Sequence, residues 1–518
     1  MIEPSTPFMA LFWGQIGMAG RTMITFIVSI LAAKALGAES FGLYVALIAL
    51  VELLIKLTDM GLYTTFSVYI PRLLLEKREG QCSYLVRQVL IRRFLLLLFA
   101  GSAVFFLHTE SAWLAPYLDE SYLSILLLLF LMRGTMDGFI FIVIARVDMR
   151  YYSGVEIGVS FVQLAGILFL IDIGIVVQNL LWLMVVVNGL QLLFYGYRSR
   201  TILQPSPEPF SLGRVWQFAR WVWLGTLFNF MQKKSIDLLL LLFLINDTKI
   251  IAHYEVAYML VMYGGMVLLT SMDRLAASLY SSALVRDGVS GLVQIWQQIS
   301  KLAVVLAVPV LVFLLIHADH LILAFYSAEF LDAALLLRLF AGFQIVIIIL
   351  AGETTQDLLF PLGREEVFLY LNAFQGLLNL ISGVVLIHYF GVIGAVVATA
   401  GSAALAAVVN LLVVVGPLNL ETTVTEERSG LNFPKAFSSL ANWLPLKFSF
   451  LFLMVSILLA APTRLYPDPG LFALTVLALS FALALVLIAP RVIPITGEER
   501  TILSSRLPKG WAAWWLPK

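Results

Sequence analysis

The chain alternates between long apolar runs and short polar gaps along most of its length. An uncharged run of about 20 residues lets an α-helix cross the hydrocarbon core of a bilayer, which is roughly 30 Å thick. A helix also satisfies its own backbone hydrogen bonds in lipid, whereas an open sheet does not. The pattern therefore predicts an all-α, polytopic membrane protein with about 14 spans. The predicted spans cover residues 12–35, 41–66, 93–108, 122–145, 153–172, 177–196, 219–245, 253–276, 300–317, 333–359, 366–388, 392–415, 444–461 and 470–490.

Basic residues fall in every second gap between the apolar runs. Seven alternate gaps hold 24 of the 33 lysines and arginines, whereas the other gaps hold only Lys34, Lys249 and Arg464. Loops on the cytoplasmic side of a membrane are enriched in Lys and Arg. The asymmetry therefore predicts a multi-pass protein of the plasma (inner) membrane with both termini in the cytoplasm. Cys82 lies in one of the basic gaps and is predicted to face the same side.

Composition agrees with this class and excludes several others. The chain is 61% hydrophobic and 13% charged, against about 25% charged residues in soluble domains. A formal net charge of +1 excludes a generally basic nucleic-acid-binding protein. There is one cysteine, and neither C-x-x-C spacing nor a G-x-x-x-x-G-K-[ST] loop occurs. The sequence therefore predicts no metal, no cofactor and no direct drive by ATP.

The outer gaps leave little room for a folded domain outside the membrane. The longest of them has only about a dozen residues, far fewer than a domain needs. The function is therefore expected to lie within the helices. A Pro-rich stretch followed by Trp and Arg after span six predicts a short interfacial helix between two halves. The predicted domains are a six-helix lobe at 1–196, a cytoplasmic interfacial linker at 197–218, a second six-helix lobe at 219–415, a cytoplasmic loop at 416–443, two additional helices at 444–490 and a cytoplasmic tail at 491–518.

A weak internal repeat supports two halves. Residues 36–44 align without gaps on residues 246–254, and Tyr44 then matches Tyr254. Each segment is a short outer turn that enters an even-numbered span. Two six-span halves that both begin inside would be parallel repeats, an arrangement found in transporters.

Four segments resemble signatures of the Wzx-type polysaccharide flippases. They read ILAAKALGAESFGLY at 30–44, LTDMGL at 57–62, FYSAEF at 325–330 and YFGVIGAVVAT at 389–399. The first is similar to an A-R-x-L-G-x-x-x-[YF]-G-x-[YF] turn, the second to a D-x-G-L ending, and the last to Y-x-G-x-x-G-A-x-x-A-T. The resemblance covers roughly residues 10 to 415. Lys34 stands where the family usually has Arg.

The resemblance implies a member of the multidrug, oligosaccharidyl-lipid and polysaccharide exporter (MOP) superfamily. It implies two six-helix lobes around a central cavity that open by alternating access. The expected substrate is an oligosaccharide linked to a polyprenyl diphosphate, moved from the inner to the outer leaflet for polysaccharide, O-antigen or capsule export. Membrane lipids and polysaccharide polymerase or assembly proteins are the expected partners.

Cations inside the spans are the candidates for binding the diphosphate. A diphosphate and its sugars need a hydrated, cationic path through hydrocarbon, and Arg offers phosphate a bidentate fork. The candidate substrate-binding residues are Arg21, Lys234, Lys233, Arg133 and Arg338.

Spacing along each helix ranks these candidates. Arg133 has Asp137 at i+4 and Lys233 has Asp237 at i+4, so both are expected to be neutralised locally.

Arg21 and Lys234 have no obvious acidic partner on their own helix and rank first. They occupy similar depths in the first helices of the two halves. The alternative is a salt bridge to another helix, for example from Asp59 or Glu353. Arg338, near the outer end of its span, is expected to bind the substrate or to snorkel to the interface.

Glu353 and Asp357 are spaced one turn apart on predicted span ten. Two acids on one face of a helix in lipid could carry a proton or a sodium ion, or could be neutralised by Arg364 or a Lys of another span. They are the candidates for ion coupling.

Two other protein classes stay open. A polymerase or ligase of polysaccharide assembly would need acceptor chemistry in a sizeable outer loop, which the short outer gaps argue against, so no enzyme is predicted. A MATE-type multidrug exporter shares the implied fold. Mid-membrane cations favour an anionic substrate over cationic drugs.

Overall fold

The computed structural model describes residues 7–110, 120–205, 208–265, 270–359, 361–415, 446–461, 476–478 and 480–481. Within these ranges the chain forms α-helices with short 3-10 and π-helical turns and no strand, which confirms the all-α prediction. The predicted loop at 416–443 and tail at 491–518, and most of predicted span 14, lie outside the described residues.

Fifteen α-helices are described. They are α1 (Pro7–Leu57), α2 (Leu62–Leu75), α3 (Glu79–Glu110), α4 (Glu120–Ala145), α5 (Met149–Ile173), α6 (Val177–Ser199), α7 (Leu212–Phe230), α8 (Lys234–Leu244), α9 (Thr248–Met259), α10 (Thr270–Ile316), α11 (Ala318–Phe325), α12 (Ala333–Ile349), α13 (Gly352–Gln356), α14 (Glu365–Asn410) and α15 (Leu446–Ala460). Eight stretches in the described part of the chain are long and apolar enough to cross a membrane.

Three of these helices contain a glycine kink where the sequence predicts separate spans. Gly37, Gly288 and Gly391 have φ of 76°, 67° and 60°, values that glycine adopts at little cost. Gly37 and Gly391 therefore form the turns between predicted spans 1 and 2 and between spans 11 and 12. Gly288 lies in a gap predicted as a loop, but that gap is helical.

Three predicted spans are interrupted. Span two breaks at Met60 and Gly61, where φ is 56° and 64°. Span seven breaks between Phe230 and Lys234, and span ten breaks at Ala351, where φ is 53°. Each break falls where the span turns polar: Thr58 and Asp59 precede the first, Gln232 and Lys233 lie in the second, and Gly352 and Glu353 follow the third. The span predictions run through these stretches because the apolar residues on both sides keep the average hydrophobicity high.

Two features of the predicted inner loops differ from the structure. Helix α3 begins at Glu79 rather than near 93, so Arg93 and Cys82 lie within it and are buried, 1% and 0% exposed. The predicted interfacial helix is instead the start of α7, which runs on to Phe230 without interruption. Its Val215 is fully buried, because this end of α7 packs against α2 rather than lying alone on the membrane surface.

The chain divides into two compact units. The first is Met1–Glu255 with Asn379–Ala395, and the second is Val256–Leu378 with Val396–Lys518. The predicted lobe boundaries at 196 and 219 stay predictions.

Each unit has its own apolar core. In the first unit, one core joins the second half of α1 to α3, α4 and α6, and a second joins α2, α3 and α4 around Cys82. In the second unit, Trp296 of α10 packs with Leu358, Leu359 and Leu411. These cores hold the polar side chains described below in fixed positions.

Close packing of α1 on α5 sets up the first of those positions. A Cβ on Gly17 would lie 2.7 Å from the Ser153 Cα, and one on Gly20 would lie 3.3 Å from Ile157. Small residues let helix backbones approach in this way in a membrane. The approach brings the next residue of α1, Arg21, to the face of α5 that carries Glu156.

Candidate functional site

Arg21 is paired with a carboxylate from another helix. Its Nη1 donates to Glu156 Oε2 of α5 at 2.5 Å. The side chain of Glu156 is fully buried, whereas that of Arg21 is 47% exposed. Arg21 lies about midway between the start of α1 and the Gly37 kink, so this is an intramembrane ion pair.

Two more side chains bind the same carboxylate. Tyr195 Oη donates to Glu156 Oε1 at 2.6 Å, and Gln191 Nε2 donates to it at 3.0 Å. Both donors belong to α6, so Glu156 ties α1, α5 and α6 together. A buried charge needs such a set of donors to offset its loss of hydration.

Arg21 ranks first because it has no obvious acidic partner on its own helix, and the partner that the structure shows lies on another helix, α5. The alternative of a partner on another helix is correct, although the partner is neither of the residues named for it. Sequence reasoning missed Glu156. Glu156 is the fourth residue of predicted span five. An acid inside a predicted span was the available signal, because an ionisable residue in a membrane helix needs a partner.

Arg133 is paired across helices instead of along its own helix. Its Nη2 lies 3.2 Å from Glu52 Oε1 of α1, and Ser235 of α8 donates to the other oxygen of Glu52 at 2.6 Å. The expected pair with Asp137 is not what the structure shows, because Asp137 faces Arg93, with 3.8 Å between the charged atoms.

Lys234 has a partner on the following helix. Its Nζ donates to Glu255 Oε1 of α9, whose side chain is 3% exposed. Tyr44 lies within electrostatic range of both groups and of Glu52 and Arg133. Lys234 is thus part of one network with the Glu52 pair, and its partner lies on another helix, which is the alternative given for it.

Lys233 stands outside helix α8. It is the N-cap, with extended backbone angles (φ −87°, ψ 149°), and its expected pairing with Asp237 stays a prediction. Asp237 is fully buried. It accepts hydrogen bonds from Tyr254 at 2.8 Å and Asn379 at 3.4 Å.

The remaining candidates lie in the second unit. Arg338 of α12 donates to Asp319 of α11, so this arginine is ion-paired as well as partly exposed. Glu353 and Asp357 do not share a continuous helix, because Asp357 begins a 3-10 turn at the end of α13. The side chain of Glu353 lies outside the described residues.

Arg93 braces the break in span two. Its guanidinium donates to the Gly134 carbonyl at 3.0 Å, to the Asp59 carbonyl at 3.1 Å and to the Asp59 carboxylate at 3.2 Å. The freed carbonyl of a broken helix needs a donor in a dry environment. Asp59 belongs to the D-x-G-L segment, so that signature marks a structural break rather than a binding site.

The break in span seven is stabilised by hydrogen bonds of the same kind. Asn379 of α14 donates to the carbonyl of Met231 at 2.9 Å as well as to Asp237. In both breaks one side chain joins a freed carbonyl to a nearby carboxylate.

The intramembrane charges of the first unit are thus arranged in pairs of opposite sign. Arg21 with Glu156, Arg133 with Glu52, Lys234 with Glu255, and Arg93 with both Asp59 and Asp137 form ion pairs in the described part of this unit. No cluster of three or more His, Cys, Asp or Glu side chains that could hold a metal ion occurs among the described residues. The arrangement can hold an anion only where a cation keeps exposed donors, as Arg21 does.

Comparison with known proteins shows the fold. No protein-family model matches the sequence, and no curated protein matches it. An inward-facing multidrug resistance MATE family transporter of the MOP superfamily matches with a TM-score of 0.65 at 17% identity, covering 78% of this chain and 96% of that chain. The lipid II flippase MurJ, in an inward closed conformation, matches with a TM-score of 0.67 at 13% identity, covering 92% of this chain and 98% of that chain. A MOP superfamily transporter from Pyrococcus furiosus Vc1 matches with a TM-score of 0.55 at 16% identity, covering 80% of this chain and 97% of that chain.

The chain has the MOP transporter fold. Its helices are those of a multi-pass membrane protein. At these identities the likeness concerns the fold alone, and the particular resemblance to Wzx-type flippases stays a prediction.

Proposed function

We propose that the protein is a flippase for an oligosaccharide linked to a polyprenyl diphosphate. It would work by alternating access in the plasma membrane, with both termini in the cytoplasm, and it would supply polysaccharide, O-antigen or capsule assembly. Polysaccharide polymerase and assembly proteins would be its partners.

The main support for the proposal is that the side chain of Arg21 is ion-paired but remains about half exposed. Only one of its terminal nitrogens is seen to donate to Glu156, and 47% of the side chain remains exposed. An exposed guanidinium at mid-membrane depth is costly against lipid, so it is expected to face water or an anionic ligand. Glu156 would hold the guanidinium in place while its free edge binds a phosphate oxygen.

The extent of the fold match supports a flippase over a multidrug exporter. The flippase MurJ covers 92% of this chain, whereas the MATE transporter covers 78%. A MATE-type exporter of cationic drugs is the second candidate. It would use the intramembrane acids rather than Arg21, but the five acids in the pairs above already face a cation.

Substitution of the cations tests the proposal. Arg21→Ala and Lys234→Ala should each sharply reduce surface glycan export at normal membrane abundance, and Arg133, Lys233 and Arg338 would play lesser parts. The matched control is Arg286→Ala, which removes an arginine that is 77% exposed and paired only with its neighbour Asp287.

The measurement is glycan display divided by protein level, together with native mass spectrometry of the purified protein with undecaprenyl diphosphate. The proposal predicts that Arg21→Ala loses the bound diphosphate and Arg286→Ala keeps it. Full export by an Arg21→Ala, Lys234→Ala double variant at wild-type abundance would overturn the assignment.

A further inference from the structure

A groove runs between α5 and α6 on the side of α5 opposite Glu156. Its volume is about 710 Å³, and it is formed entirely within the first unit. Gly154, Gly158 and Val162 of α5 line it on one side, and Leu190 and Phe194 of α6 line it on the other. The helical spacing of these residues separates them from Glu156, so the groove is distinct from the Arg21 site.

The groove lies on the surface of two helices that are joined near both of its ends. A Cβ on Gly166 would lie 2.4 Å from Leu183, so α5 and α6 touch there. Tyr151 Oη donates to the Phe194 carbonyl at 2.8 Å, so they also meet near the other end. A Cβ on Gly154 or Gly158 would meet nothing within 4 Å, and both glycines are exposed, so this part of the α5 surface is open.

The end of the groove near the start of α5 is lined by charged residues. Asp148, Arg150, Tyr151 and Arg198 line it. Arg198 binds Asp148 at 2.5 Å and lies over the Tyr151 ring, 5.5 Å from its centroid. Arg150 is exposed, so two arginines and one aspartate give this end a positive charge.

Arginines of the adjoining segments add to that charge. Arg146 lies in the short turn between α4 and α5, and Arg200 follows the end of α6. Both belong to gaps with excess Lys and Arg, which predicts that this end faces the inner leaflet. An anionic head group is attracted to such a cluster within a Debye length of the surface.

The walls are suited to a hydrocarbon chain. Phe194 is 48% exposed and Val162 43% exposed, and both lie on helices long and apolar enough to span a membrane. At membrane depth this apolar groove is surrounded by lipid rather than water. It is therefore suited to binding a lipid tail. We infer that this groove binds an anionic phospholipid of the inner leaflet, with one acyl chain along Gly154 and Gly158 and its phosphate at Arg150 and Arg198.

Native mass spectrometry of the purified full chain tests the inference. Phosphatidylglycerol should bind in preference to phosphatidylcholine. Arg150→Gln should weaken phosphatidylglycerol binding by about fivefold, which is the loss expected for one arginine near an anionic lipid. The control Arg200→Gln removes an arginine that lies over Tyr197, outside the groove, and should have a smaller effect.

A second pair of variants tests the acyl chain. Gly158→Leu should fill the groove and abolish the bound lipid. Gly196→Leu is the matched control, because Gly196 also has open space at its Cβ position but does not line the groove.

Three outcomes would overturn the inference. They are equal binding of the two phospholipids, equal loss of lipid in Gly158→Leu and Gly196→Leu, and displacement of phosphatidylglycerol from the groove by undecaprenyl phosphate. The last would assign the groove to the substrate tail. Loss of diphosphate binding on Arg21→Ala is a separate result, so the flippase proposal and the lipid site can fail independently.

Discussion

Two arginine–carboxylate pairs in the first unit share the same chemistry but differ in exposure. Arg93 faces Asp59 with both side chains buried, 1% and 5% exposed. Arg21 faces Glu156 with a fully buried carboxylate and a guanidinium that is 47% exposed. The first arginine also binds two backbone carbonyls, whereas the partners of the second site converge on the acid.

Under the proposed function, Arg93 has a structural role and Arg21 a binding role. A sealed guanidinium with several fixed acceptors holds a broken helix together and has little capacity for a ligand. A half-exposed guanidinium that is held by one carboxylate still has N–H groups that can donate hydrogen bonds to an anion. The following predictions test this distinction.

The largest effect is expected from Arg93→Met. It strands the Asp59 carboxylate and removes the donor for two buried carbonyls, so we expect a loss of about 3–5 kcal/mol in the free energy of unfolding. The measurement is thermal unfolding of the purified protein in detergent, followed by the retention of a monodisperse peak in size-exclusion chromatography.

The double variant Arg93→Met, Asp59→Asn sharpens this test. It removes the stranded charge, so it should be more stable than Arg93→Met alone. A double variant less stable than the single one would show that the Asp59 charge is not what the arginine compensates.

A smaller effect is expected from Glu156→Gln. The amide keeps one acceptor for Tyr195 or Gln191 but loses the charge that holds Arg21, so about 1–3 kcal/mol of stability should be lost. Glu76→Gln is the control, since Glu76 binds Arg72 and Arg78 in exposed pairs. There little or no loss is expected, because exposed ion pairs contribute little to stability, and an equal loss in both variants contradicts the importance of the buried site.

The smallest change in stability is expected from Arg21→Lys. Lysine keeps the charge next to Glu156 and its half-exposed position, so unfolding should shift by less than about 1 kcal/mol. Glycan export should nevertheless fall, because an ammonium lacks the bidentate fork of a guanidinium.

Arg93→Lys serves as the comparison for that variant. It should be clearly destabilised, because one ammonium does not reach Gly134 and Asp59 as the guanidinium does. If Arg21→Lys loses as much stability as Arg93→Lys, the two sites are alike and the distinction fails.

The fold was largely predictable from the sequence, because apolar length and helix formation in lipid follow from simple rules. The breaks were not. Met60, Gly61 and Ala351 lie beside polar residues such as Asp59 and Glu353, but an average over a whole span hides these short polar stretches.

The charged residues inside the spans could be named from the sequence, but most of their partners could not. Spacing along one helix suggested Asp137 for Arg133, whereas packing places Glu52 there. A rule based on i+4 neighbours fails in a tight bundle, because a residue on another helix can be as close as one on the same helix. The pairing of Arg21 depends on Gly17 and its contact with α5, which sequence alone did not indicate.

The burial of Cys82 makes its thiol a natural probe of unfolding. It is the only cysteine of the chain and is fully enclosed where α2, α3 and α4 meet. A dye that fluoresces on reaction with a thiol should stay dark on the folded protein and brighten when this core opens. The native chain thus carries its own reporter of unfolding, next to the helix break that Arg93 braces. Cysteines added elsewhere could be labelled without first removing the native one.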